Sequence, residues 1–298
     1  MAAPTPVHDS RIGILWMIAG MTAFIGNDAI VKSVSERLPT AQILAVRGLM
    51  AVVLIILVAW RLGALARLPM MLQRRVLERA ACEGFGTLLY VSALAGLPLA
   101  NATAINLAAP MFVALLAYLI LDERISRSRW LAIMLGFLGV LLIIQPRPGD
   151  FNAHAWLALL ATVIYSLRDI LTRRIAPATP SILVTLATAA TVMCFGAVSL
   201  AFIGWTPMRA GDLGLLCLAS ALLSTGYYAM IAAVLNGELS VVAPFRYTGL
   251  LWALVLGYII WRHVPSLLAW AGILLLLSAG MMLLREQRRL TRRSRLIH

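Results

Sequence analysis

A chain of 298 residues that is 62% hydrophobic and only 12% charged carries far more apolar surface than one soluble core can hide. That excludes a soluble globular domain, and it excludes a single anchor attached to a separate folded unit, because no stretch between the apolar runs is long enough to fold alone. The net charge of +13 does not point to nucleic acid either, since the basic residues cluster in alternate loops.

About 20 apolar residues at roughly 1.5 Å each cross a hydrocarbon core of about 30 Å. By that measure the predicted spans are 12–32, 41–62, 77–96, 101–121, 129–145, 154–174, 181–204, 212–235, 241–262 and 266–285. All are expected to be helices, because lipid offers the backbone no hydrogen-bond partner. The first is too long for a typical signal-peptide core, shows no persuasive cleavage site and is followed by nine more runs, so it reads as a retained helix. With the N-terminus inside, seventeen Lys and Arg fall on the cytoplasmic face. Five, Lys32, Arg37, Arg147, Arg209 and Arg262, fall on the other, which places both termini in the cytoplasm. The basic tail 286–298 reads as a topology anchor against anionic lipid rather than a nucleic-acid binder. Cys82, Cys194 and Cys217 lie in apolar runs without paired spacing, so neither a disulfide framework nor a metal or cofactor is expected.

Polar residues inside the spans are the candidate functional groups, since burying a charge in hydrocarbon is costly. In the first span Met17, Met21 and Phe24 share a face with Asp28, as packing or as cavity lining. Asp28 lies at a depth similar to Arg47 of the second span, and the two are expected to neutralise one another. In the third, Glu83, Gly86, Thr87 and Tyr90 form a polar stripe at i, i+3, i+4 and i+7. Glu83 is a candidate proton carrier, because desolvation favours the neutral form of a carboxyl, as proton exchange near neutral pH requires; a structural ion pair with Arg79, one turn away, is the alternative.

The fourth span has Thr103, Asn106 and Pro110 on one face; Pro110 is expected to bend the helix and free a carbonyl, and Asn106 to donate to a ligand. The sixth holds Arg168 and Asp169, with Arg173 and Arg246 within reach by depth. This set and the Asp28–Arg47 pair are candidate gating ion pairs, with static charge neutralisation as the alternative. In the eighth, Ser220, Ser224, Tyr227 and Tyr228 form a second stripe that either faces the first across a cavity or glues helices together.

In the ninth span, Arg246, Gly249, Ala253 and Gly257 fall within about 80° of one another, a small-xxx-small face that allows close helix approach. Arg246 then either points into the bundle or snorkels to the nearby interface. Tyr247 and Trp252 are candidate cavity aromatics, with core packing as the alternative.

Sliding the chain by 140 residues matches Trp16 with Trp156, Tyr118 with Tyr258, Ser126 with Ser266, Trp130 with Trp270 and Ile133 with Ile273; a shift of 141 matches Asp28 with Asp169 and Pro39 with Pro180. Five spans per half is an odd number, so two such repeats enter the membrane from opposite sides, the arrangement behind alternating access.

The segments "ANATAINLAAPMFVALLAYLILDERISRSRWLAIMLGFLGVLLI", "VVAPFRYTGLLWALVLGYIIWRHVPSLLAWAGILLLLSAGMML" and "MIAGMTAFIGNDAIVKSVSERLPTAQILAVRGLM" resemble the EamA repeats of the drug/metabolite transporter superfamily. The resemblance implies an all-α polytopic membrane protein of ten transmembrane helices as two inverted five-helix repeats, 12–145 and 154–285, in a bacterial inner membrane. It further implies secondary transport of small organic molecules, more often out than in. This chain departs from the family pattern at Arg246, where an acidic residue is common, and at Glu83, Asn101, Arg262 and His263.

Arginine's planar fork suits bidentate recognition of a carboxylate, on a substrate or on Asp169. The expected function is therefore proton-coupled efflux of a zwitterionic or anionic amino-acid-like metabolite, carboxylate-rich metallophores included. Uptake of a nucleoside-like or flavin-like compound is the alternative. The expected partners are that substrate, protons and the bilayer, in a monomer or weak homodimer without nucleic acid. No HExxH, DDxxD or GxSG motif favours an intramembrane enzyme, and no filter-like loop favours a channel.

Overall fold

A computed structural model describes residues 10–121, 126–145, 152–172, 174–176, 178–236 and 239–295. Arg124, Arg147 and Arg173, which figure in the charge arguments above, and tail residues 296–298 lie outside the described residues. The chain is helical: α1 (Ser10–Ser35), α2 (Thr40–Arg61), α3 (Arg74–Gly96), α4 (Leu99–Asn106), α5 (Ala109–Leu121), α6 (Arg127–Ile144), α7 (Ala153–Thr172), α8 (Ser181–Ile203), α9 (Ala210–Asn236), α10 (Leu239–Val242), α11 (Thr248–Trp261) and α12 (Leu267–Arg295).

Among the described residues nine segments are long and apolar enough to cross a membrane, with α4 and α5 together making one of them. The further rod is α3, whose first half carries Arg74, Arg75, Glu78, Arg79 and Glu83. Leu and Phe chains such as Leu57, Phe202 and Leu267 point outward, as a lipid-facing surface requires.

Proline sets several boundaries. Pro39, Pro98 and Pro180 stand directly before α2, α4 and α8, where a missing N–H costs nothing and φ is already near the helical value. Leu97, ahead of Pro98, is extended at φ −111°, ψ 149°, which ends α3. Two spans are broken. The fourth separates into α4 and α5 just before Pro110, and the ninth contains a 3-10 turn, Ala243–Tyr247, between α10 and α11. A 3-10 run over Ala64–Leu72, which apolar periodicity did not reveal, packs on α2 and α8.

The helices pack in a two-fold pattern. α1 lies on α9 and α7 on α3; α1 meets α11 and α7 meets α4 and α5; α2 pairs with α8 and α6 with α12. The α6–α12 crossing is so close that a Cβ on Gly272 would sit 2.5 Å from the Gly139 carbonyl oxygen. Ser126 caps α6 by accepting from Arg129 N at 3.2 Å, and Ser266 caps α12 by accepting from Ala269 N at 3.2 Å. Each hydroxyl also bonds the far end of the other helix, Ser126 to Glu286 and Ser266 to Gln145. Below, the face holding the start of α1 and the end of α12 is the terminal face, and the opposite one the distal face.

Candidate substrate vestibule

The polar stripe of α3 faces α7, and the strongest electrostatics lie there. Glu83 is 4% exposed, and its Oε2 accepts from Arg168 Nη1 at 2.7 Å and lies 3.4 Å from Arg79 Nη2. Arg168 in turn donates from Nε at 3.0 Å and Nη2 at 2.7 Å to Asp169 Oδ1. Arg79 also donates to the hydroxyls of Thr172 and Thr188. Glu83 is thus clamped between two guanidinium groups, and the ion-pair reading of that residue is the one the geometry carries. Asp169 pairs with its neighbour Arg168, leaving Arg246 aside.

The expected Asp28–Arg47 ion pair is not formed. Arg47 Nη1 donates at 3.0 Å to Asn27 Oδ1, and Asn27 Nδ2 donates at 2.9 Å to Asp28 Oδ1. The reason is rotational: successive helical residues turn by about 100°, so Asn27 faces α2 while Asp28 turns to α3. There Tyr90 donates its hydroxyl to Asp28 Oδ2 at 3.0 Å. Sequence depth alone did not reveal Asn27. Tyr165 was missed as well, although it sits one turn before Arg168 and Asp169 on α7. Its hydroxyl donates to Thr87 Oγ1 at 3.2 Å, and its ring lies 5.0 Å from the Arg168 guanidinium and 6.3 Å from the Tyr90 ring.

Across from these, α9 and the ninth span complete the wall. Tyr227 stacks edge-on against Phe24 at 5.1 Å, and its charged neighbours are Glu83, Arg168, Arg79 and Arg47, drawn from three helices. It faces the interior. Tyr228 does not: it is 65% exposed beside Trp16, on the outward side that also bears Leu218. Ser224 donates to the Ser220 carbonyl within its own helix, and Ser220 also donates to the Arg47 carbonyl.

On α11, Gly249, Ala253 and Gly257 are buried, with Gly249 against Met21 and Gly257 over Leu99, so the small-residue face does turn into the bundle. Trp252 sits on the outward side with Leu251, Val255 and Ile259, and it does not line the interior.

Arg246 lies in the 3-10 turn between Phe245, packed with Met17 and Met21, and Tyr247, whose ring lies against Gly280 of α12. The charged groups nearest the Arg246 guanidinium are Asp169 and Arg168 of α7. Arg246 is solvent-exposed, and among the described residues it makes no hydrogen bond or ion pair.

Asn106, half-buried at the end of α4, occupies the position 140 residues before Arg246, so the two helix breaks carry equivalent polar residues. The break leaves the Ile105 and Ala109 carbonyls to accept from Thr162 and Ser166 of α7.

The distal end is sealed. Lys32, 5% exposed, donates from Nζ to the carbonyls of Leu94 at 2.9 Å and Leu97 at 2.7 Å, capping the end of α3, and lies over the Trp261 ring. Trp261 Nε1 donates to Glu36, Arg37 pairs with Asp212, and Gln42 bonds Thr206 in both directions. α1 packs on α3 here, whereas α7 and α9 make no comparable contact among the described residues. The end of α1 is thus tied to α3 and to the end of α11 at the distal face. A separate cavity of about 350 Å³ on the distal face is lined by Asn101, Gln145, His263 and Ser266, among others, and by no carboxylate or guanidinium.

Comparison with known proteins agrees with this architecture. Residues 11–145 match the model of the EamA-like transporter family. The chain is 27% identical to a riboflavin transporter of Rhizobium johnstonii over 96% of both proteins. It is 28% identical to a pseudopaline exporter of Pseudomonas aeruginosa, covering 93% of this chain and 98% of that one. A third relative is an S-adenosylmethionine uptake transporter of Rickettsia prowazekii, 23% identical over 93% of this chain and 94% of the other. A solved crystal structure shares the fold at a TM-score of 0.63 with 19% identity, covering 93% of this chain and 98% of its own.

Proposed function

We propose that this chain, which matches the EamA-like transporter family over residues 11–145 and is similar over nearly its whole length to membrane transporters, exports a small zwitterionic or anionic amino-acid-like metabolite by alternating access. One observation supports the reading: Arg246, at the break in the ninth span, makes no hydrogen bond or ion pair among the described residues, and its opposite-charge neighbour is Asp169 of α7. A guanidinium without an internal partner inside a helix bundle is free to take a counter-charge, and a substrate carboxylate supplies one in bidentate geometry. Asp169 lies opposite with its side chain 45% exposed and only Oδ1 engaged by Arg168, which leaves an oxygen for a substrate ammonium. Tyr227 and Tyr165 supply aromatic walls, and Thr87, Asn106 and Ser224 neutral hydrogen-bonding groups.

In this reading the two units, 12–145 and 154–285, rock about the vestibule. With the termini in the cytoplasm, as the charge asymmetry indicates, the terminal-face opening is the one that loads an exporter. A proton gradient is the driving force.

Relatives named a riboflavin transporter and an S-adenosylmethionine uptake transporter favour a second reading, import of a flavin-like or nucleoside-like compound stacked on those same tyrosines. Metabolite profiling of cells and medium with and without the protein separates the two. Depletion of one carboxylate metabolite from cells, followed by its pH-gradient-driven flux in proteoliposomes, is the expected result. Accumulation of an uncharged aromatic compound defeats the export reading.

A further inference from the structure

Two carboxylates sit in the transport path with opposite surroundings. Glu83 is clamped by Arg79 and Arg168, with Oε2 2.7 Å from Arg168 Nη1 and 3.4 Å from Arg79 Nη2. Asp28 has no cation within ion-pair distance among the described residues; both its oxygens accept from neutral donors, Asn27 Nδ2 and Tyr90 Oη. Arg47 of α2 reaches it only through Asn27. The other titratable groups turned toward this cluster are Tyr90 on α3, Tyr165 on α7 and Tyr227 on α9, with Lys32 one turn away on α1 and bound to backbone carbonyls.

Access completes the case. Asp28 is only partly buried, while Val31 and Lys32, between it and the distal face, are 1% and 5% exposed. Asp28 therefore keeps part of its surface accessible while its neighbours toward the distal face are closed.

From the proton coupling proposed above, we infer that Asp28, and not Glu83, is the group that binds and releases the coupled proton. The step is a protonation: a proton from vestibule water adds to a carboxylate oxygen of Asp28 and later returns to water on the opposite side. Ionised, Asp28 accepts both hydrogen bonds and ties α1 to α3 beneath the Lys32 seal. Protonated, it becomes a donor at one oxygen: on Oδ2 the proton turns the Tyr90 hydroxyl from donor to acceptor, on Oδ1 it displaces Asn27 Nδ2, and in either case the Tyr90 bond loses its charge assistance. The tie between α1 and α3 weakens there. Protonation is thereby linked to opening of the distal end, and the Asn27 relay lets Arg47 respond to the charge on Asp28.

The test needs no substrate, so it stands or falls separately from the substrate assignment. The full-length protein is reconstituted in lipid nanodiscs, and the infrared carbonyl stretch of protonated carboxyl groups is followed as a function of pH. A titrating band present in the parent protein and in Glu83→Gln but absent in Asp28→Asn is expected. Tyr90→Phe, which deletes one donor to the ionised form, retains the band and binds the proton about tenfold more tightly. A band that survives in Asp28→Asn, or one that disappears in Glu83→Gln, overturns the assignment, as does a Tyr90→Phe titration identical to the parent's. If the band follows Asp28 but no metabolite is moved, the proton site stands and the transport reading falls.

Discussion

Replacing Arg246 with methionine keeps most of the side chain's length and apolar stem and deletes only the fork. If a substrate carboxylate pairs with that fork, what is lost is a charge-assisted contact in a partly wet site. Hydrogen bonds to charged groups contribute about 1.5–3 kcal/mol, and because Arg246 is solvent-exposed the whole bidentate pair is assigned that range and not twice it. At about 1.4 kcal/mol per tenfold, affinity for the carboxylate falls roughly ten- to hundredfold. The assay is competition in proteoliposomes between the carboxylate metabolite identified by profiling and its carboxamide, in parent and variant. The carboxamide should lose no more than about threefold, since a neutral amide forfeits only a weak contact. Arg246→Lys should fall between, keeping the charge and losing the planar geometry. Equal losses for carboxylate and carboxamide make Arg246 a structural residue, and an unchanged carboxylate affinity refutes the pairing altogether.

Other outcomes follow from the same geometry. Tyr227→Ala should reduce flux about tenfold or more while Tyr228→Ala leaves it near the parent level, because only Tyr227 faces the charged interior; transport measured side by side with expression controls decides it. Gly272→Ala should destabilise by about 1–3 kcal/mol, since its Cβ meets the Gly139 carbonyl at 2.5 Å, whereas Gly211→Ala, with nothing within 4 Å, should not. Thermal unfolding in detergent checks the pair. Lys32→Met should loosen the distal seal, so that a cysteine placed at Val31 in a background lacking Cys82, Cys194 and Cys217 is labelled by an impermeant reagent added on the distal side. No increase in labelling over the same cysteine beside an intact Lys32 counts against the seal.

Where the sequence alone succeeded, it did so through quantities that do not depend on which helices meet. Apolar runs of bilayer length and the absence of backbone partners in lipid were enough for the all-α polytopic fold; the 140-residue self-match paired Ser126 with Ser266, and the structure adds that each caps its helix. Helical phase likewise put Gly249, Ala253 and Gly257 on an inward face. What it could not supply was the azimuth of one helix against another. Equal depth suggested that Asp28 meets Arg47, yet one step of helical rotation interposes Asn27 and hands Asp28 to Tyr90. Adjacent tyrosines at 227 and 228 look alike in a stripe, and only the packing of α1 on α9 turns one to the charges and the other outward. Spacing offered Glu83 one cation, Arg79 a turn away, and only the packing of α7 adds Arg168 at 2.7 Å. Spacing along a chain fixes which residues share a face; which face meets which partner is settled by close packing between helices distant in sequence, and the chemistry of the vestibule is decided there.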